Sequence, residues 1–175
     1  MNGDQDDEVL PASLESLVNA AITGDAQARE RLVTEVRPFV SRYCRGRLGG
    51  IGGTATADRI TDEVCRAVVD ALPDSPVTGR SFRAFAYRVA ARAVDEALRA
   101  PVRNLAPAER LTDRLGELLH ELPPFQRETL LLRIAVGMSL EETAQAIGAT
   151  PDAIRVAQHR ALARLRGAVV GRENR

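Results

Sequence analysis

The chain has 175 residues with 24 basic and 24 acidic side chains, so its formal net charge is zero; 45% of the residues are apolar and 3% aromatic. That apolar fraction supports a buried core and excludes wholesale disorder, while neutrality runs against the basic balance that usually marks a nucleic-acid binder. Two cysteines, Cys44 and Cys65, without ligand spacing exclude a disulfide-built domain and leave too few candidates for a zinc site, and no cofactor is implied.

The average hides the distribution. All 24 basic residues are Arg. Residues 1–35 sum to −6, residues 36–100 to +4, residues 128–150 to −2 and residues 151–175 to +4. Such asymmetry points to separate surfaces for separate partners. The N-terminus has no apolar signal core, and no run approaches the roughly 18 apolar residues of a membrane span. A cytoplasmic location is expected. The 27 Ala favour closely packed helices over sheet.

Residues 1–11 read as a disordered acidic tail. Ser13 can cap a helix carrying Leu14, Leu17, Val18, Ala21 and Ile22, interrupted at Thr23-Gly24-Asp25. A second helix is predicted from Asp25 to Gly46, bent or split by Pro38. Five Gly between Gly46 and Gly53 predict a mobile connection. They lack the preceding strand and the Gly-Lys-Ser/Thr ending of a phosphate loop. A third helix is expected from Ala57 to Pro73, and a fourth from Ser81 to Ala100. The stretch 101–112, rich in Pro, reads as a linker between two small domains, 12–100 and 113–170, with 171–175 as a tail. Pro124 suits the first turn of a helix ending at Gly137. No strand pattern appears, so the expected fold is all-α.

Met138 to Arg166 is the most informative stretch. Ser139 and Glu142 form a capping box. A short helix leads to a Gly148-Ala149 turn, and Thr150, Pro151 and Asp152 start a second helix with a cap, an N1 proline and a first-turn acid. Two helices joined so tightly describe a helix-turn-helix, with Ala144, Ile147, Ile154 and Ala157 at the wedge. The second helix offers Arg155, Gln158, His159 and Arg160, then Arg164 and Arg166. Arg and Gln read purine edges in a major groove; Arg and His reach phosphates.

The segments Leu122-Pro123-Pro124-Phe125-Gln126-Arg127-Glu128, Leu130-Leu131-Leu132-Arg133 and Gly137 to Ala144 resemble region 4 of bacterial sigma-70-family factors, in the short form of the extracytoplasmic-function (ECF) group. Ala153 to Leu165 is similar to the actinobacterial SigD/ShbA type, in keeping with the all-Arg, Ala-rich composition of a GC-rich genome. Arg37-Pro38, Arg42 to Arg45, Ala57 to Cys65 and Phe82 to Ala90 resemble sigma region 2.

The resemblance implies a promoter-specificity subunit of RNA polymerase that performs no covalent chemistry. Thr150, Pro151, Asp152, Arg155, Gln158, His159, Arg160 and Arg164 would serve the −35 element. Phe85, which keeps an aromatic surface where the family commonly has Trp, would serve the −10 element with Arg88, Arg92 and Arg99. Asp58, Asp62 and Glu63 would face core polymerase. Core polymerase and promoter DNA are the implied partners, with an anti-sigma factor as a further one. Two rival readings share the helix-turn-helix: a regulator acting without core polymerase, and a degenerate sigma-like protein that no longer opens promoters. An enzyme would need a nucleophile elbow, zinc motif or phosphate loop, and the sequence carries none.

Overall fold

The structure, a computed structural model, describes residues 13–48, 53–78, 81–99 and 118–173. The predicted tail 1–11 and linker 101–112 lie outside the described residues. Among the described residues these α-helices follow in order: α1 (Leu14–Ile22), α2 (Ala26–Leu48), α3 (Gly53–Asp70), α4 (Phe82–Arg99), α5 (Pro124–Leu130), α6 (Leu140–Ile147) and α7 (Pro151–Glu173), with residues 118–120 also helical before α5. Helix α5 runs directly into a π-helical stretch, Leu131–Val136. The described residues contain no strand, and the fold is all-α.

Local chemistry accounts for the boundaries. The Ser13 hydroxyl accepts from the Ser16 N–H at 3.2 Å and starts α1. Asp25 Oδ1 accepts from the N–H groups of Gln27 and Ala28 and starts α2. Between them Gly24 takes φ = 98°, a conformation open to glycine.

Helix α2 departs from expectation twice. It runs unbroken through Pro38. The carbonyl that Pro38 leaves without a helical donor belongs to Thr34, and both residues are exposed, so water can serve it. Buried Val36, Phe39 and Val40 hold the helix on either side. It also continues past Gly46 to Leu48, with Arg47 and Leu48 buried, and α3 begins at Gly53; residues 49–52 of the connection expected from the glycines lie outside the described residues. Gly46 is in mid-helix for a packing reason. A Cβ there would stand 2.5 Å from Leu131 Cδ2.

Helices α1 to α4 enclose a core of Leu17, Leu32, Val40, Tyr43, Val64, Val68, Leu72, Phe82 and neighbours. Leu132, Val136, Met138 and Ala146 from the C-terminal half belong to the same core. A smaller cluster of Leu119, Leu122, Leu130, Leu131 and Ala161 joins α5 to α7. The C-terminal half is therefore seated on the N-terminal bundle as well as packed on itself.

Candidate nucleic-acid interface

The C-terminal helix pair is built as the sequence predicts. The Ser139 hydroxyl accepts from the Glu142 N–H at 3.0 Å, and a Glu142 carboxylate oxygen accepts from the Ser139 N–H at 2.7 Å. Gly148 ends α6 with φ = 76°, where a side chain would be strained. The Thr150 hydroxyl accepts from the Ala153 N–H at 3.2 Å, and Pro151 opens α7. Ala144, Ile154 and Ala157 are buried between the helices, and Ile147 is half-buried beside them.

The opposite face of α7 is open. Asp152, Arg155, His159, Arg160, Arg164 and Arg166 are all exposed. Asp152 accepts a hydrogen bond from Arg155 one turn on, which steadies the guanidinium at the start of the helix. Arg164 Nη1 donates to Gln126 Oε1 of α5 at 3.1 Å. Gln158 is less free than its neighbours: it is half-buried, and its Oε1 accepts from Arg133 Nε at 3.1 Å, leaving its amide donors. Arg133 also donates to the Met138 carbonyl. It thereby ties the π-helical stretch, the turn before α6, and α7 together. Sequence reasoning missed Arg133, because an Arg in the middle of an apolar run gives no sign of its direction until the π-helical turn sets it.

The N-terminal residues fall into two groups. On α4, Arg88, Arg92 and Arg99 are exposed, with Arg92 paired to Glu96 at 3.0 Å. Phe85 differs from expectation. It is 8% exposed and packs into the core, since it follows the buried face of α4 with Phe82 and Ala86, and it offers no aromatic surface. On α3, Asp58, Asp62 and Glu63 are exposed, and each already has a partner within the chain. Arg45 reaches Asp58 at 2.9 Å, Arg37 reaches Asp62 at 2.5 Å, and Arg59 reaches Glu63 at 2.5 Å. These pairs are solvated and exchangeable, so they compete only weakly with an outside cation.

A polar node joins the two halves. Glu128 of α5 accepts from the Tyr43 hydroxyl at 2.5 Å and the Tyr87 hydroxyl at 2.9 Å. Arg47 Nε lies 3.6 Å from its other oxygen, and Arg47 Nη2 donates to Asp95 at 2.9 Å. The side chains of Glu128 and Arg47 are 15% and 10% exposed. The two tyrosine rings meet edge to face, 5.4 Å between centroids. Burial, then the Glu128 charge, push both phenols well above their ordinary range, so they stay protonated and donate. Nearby, Arg127 Nη1 lies 3.3 Å from His120 Nδ1. Burial and the charges of Arg127 and Arg47 hold the His120 imidazole below its usual range.

Among the described residues no group of His, Cys, Asp and Glu could hold a metal ion, and no helix is long and apolar enough to cross a membrane.

Comparison with known proteins agrees with this architecture. A family model described as Sigma-70, region 4 matches residues 112–165, which span the helix-turn-helix. The chain is 43% identical over 178 residues to the ECF RNA polymerase sigma factor SigD of Mycobacterium tuberculosis (strain ATCC 25618 / H37Rv), covering 90% of this chain and 84% of that one. It is 43% identical over 176 residues to the ECF RNA polymerase sigma factor ShbA of Streptomyces griseus, covering 86% of this chain and 92% of that one. Its fold matches CnrH, solved in complex with the cytosolic domain of CnrY, with a TM-score of 0.74 and 27% identity over 91% of this chain and 98% of that one. With two relatives this similar along nearly their whole length, the chain belongs to the ECF group of RNA polymerase sigma factors.

Proposed function

We propose that this sigma factor binds core polymerase through its N-terminal half and reads the −35 element with α7, while α4 follows the strand at the −10 element. The observation that carries the reading is the open, Arg-bearing face of a capped helix-turn-helix inside the segment that matches sigma region 4. Thr150, Pro151 and Asp152 set the start of the recognition helix. Arg155, with Gln158 and His159, faces base edges, and Arg160 and Arg164 face phosphates. Guanidinium groups suit both tasks, by bidentate contact to guanine and by charge.

Arg88, Arg92 and Arg99 supply the charge that tracks a backbone at the −10 element, without Phe85. Asp58, Asp62 and Glu63 present an acidic face to basic groups of the polymerase. The two halves, 12–100 and 113–170, act as the domains, with 101–112 as their connection. The protein itself catalyses nothing; it works in the cytoplasm, and its output is the choice of start site. A second protein partner of the anti-sigma kind fits the same reading, because the fold neighbour CnrH was solved with a bound chain.

Run-off transcription with purified core polymerase and a promoter library tests the reading. Promoter-dependent transcript is expected. Arg155→Ala should cost about 1–3 kcal/mol at one base pair and relax selectivity there. Binding to DNA without core, or binding with core but no transcript, would overturn it in favour of one of the two rival readings.

A further inference from the structure

Among the described residues, the exposed face of α7 carries one large apolar side chain, which charge does not explain. Val156 is 48% exposed. It lies between Asp152 one turn before it and Arg160 one turn after, with Arg155 and His159 alongside; all four are exposed. Residues 152, 155, 156, 159 and 160 follow the i, i+3, i+4 spacing of a single helix face. The buried residues of the helix, Ile154, Ala157 and Ala161, occupy the opposite face. Val156 therefore stands in the middle of the surface proposed to enter the groove.

Helix propensity does not favour valine there. A β-branched residue is a poorer helix former than alanine, and this sequence uses alanine freely. Its side chain has two methyl groups and no hydrogen-bonding atom. Base edges in the major groove present acceptors, donors and one apolar group, the C5-methyl of thymine. An apolar side chain among guanidinium groups has that one complement on DNA.

Val156 also borders a shallow depression against α5, where Phe125 is the other exposed apolar member. The rim decides the occupant. Arg160 lines it beside Asp152, whose charge Arg155 already answers, and that balance favours a polyanion over a protein surface.

We infer that Val156 is a specificity-determining residue that packs on the C5-methyl group of a thymine in the upstream promoter element. The inference rests on the proposal that α7 reads this element.

The test uses the full chain assembled with core polymerase. Wild-type holoenzyme first selects an upstream element from a randomised duplex pool. Each thymine of the selected element is then replaced singly by deoxyuridine, which removes only the methyl group. At one thymine the replacement should weaken holoenzyme binding about fourfold, the worth of one buried carbon. Val156→Ala should lose a similar factor on the thymine duplex and be indifferent to deoxyuridine there. Val156→Ile should keep the preference, which separates methyl contact from a folding defect.

If an element is selected but no deoxyuridine replacement matters, the inference falls while α7 remains the reading helix. If Val156→Ala lowers affinity for core polymerase and leaves the methyl effect intact, Val156 belongs to a protein interface and the inference also falls. If no upstream element is selected at all, the proposed function falls with it.

Discussion

At the scale of single residues, burial decides which groups can act. Cys44 and Cys65 are both buried, and burial pushes the Cys44 thiol up to about 11. Because the thiolate is the reactive form, neither cysteine should react appreciably with a disulfide reagent in the folded protein at pH 8. Stoichiometric labelling of the native chain within minutes would contradict this placement.

His120 gives a second expectation. Its folded pKa lies below the unfolded value near 6.5. The unfolded chain therefore binds its proton more readily, and the stabilisation from a neutral His120 is complete above about pH 6.5. It is lost progressively as pH falls below that value toward the lowered folded pKa. Thermal melts of wild type between pH 7.5 and 5.5 should show a steeper decline than melts of His120→Gln. Parallel slopes would remove His120 as the cause.

The exposed basic residues of α7 were legible in the sequence, because helical spacing alone puts them on one side. The interior of α4 was not. Phe85 lies three residues after Phe82, and period alone cannot say whether that apolar stripe ends at a surface or in a core.

At the scale of elements, caps and turns explain most boundaries. The Ser139–Glu142 box is reciprocal in the structure. Ser139→Ala should lower stability by about 1 kcal/mol, read as a shift of the denaturant midpoint with unchanged slope. Gly148 holds a left-handed conformation with open space around it. Any cost of Gly148→Ala would thus come from backbone strain and not from a clash.

These signals are local, and so the sequence displayed them. The π-helical stretch from Leu131 to Val136 is different in kind. Its six residues read as an ordinary apolar helix, and only the demands of Arg133, Gly46 and the shared core reveal why the turn is widened there. The glycine-rich stretch misled for a similar reason. Gly46 looks like the start of a loop until the closeness of Leu131 is known.

At the scale of the whole molecule, the node around Glu128 links the halves. Glu128→Ala would leave two tyrosine hydroxyls without their acceptor and remove one of the two carboxylates paired with Arg47, in a partly buried place. A loss of about 2–4 kcal/mol is expected, seen as a fall of several degrees in the melting midpoint. The Arg83–Glu142 pair also crosses between the halves, at 3.5 Å, but Arg83 is half exposed. Arg83→Ala should change stability by less than about 0.5 kcal/mol. Equal effects of the two variants would show that the node is no special anchor. Nothing in the sequence announced the node, since its members are separated by 85 and 41 residues and become neighbours only through the fold.

One carboxylate serving two hydroxyl donors and a guanidinium ion pair also has a kinetic and thermodynamic consequence. Tyr43 and Tyr87 lose their shared acceptor, and Arg47 its ion pair with Glu128, together when the halves separate, so the parting is a step and not a gradual loosening. A ligand that needs the halves apart meets only the fraction of molecules already past that step. Its apparent dissociation constant is the intrinsic one divided by that fraction. Each contact at Glu128 thus acts at a distance as a tax on any partner that stretches the chain, and a partner that grips the joined halves is exempt from it.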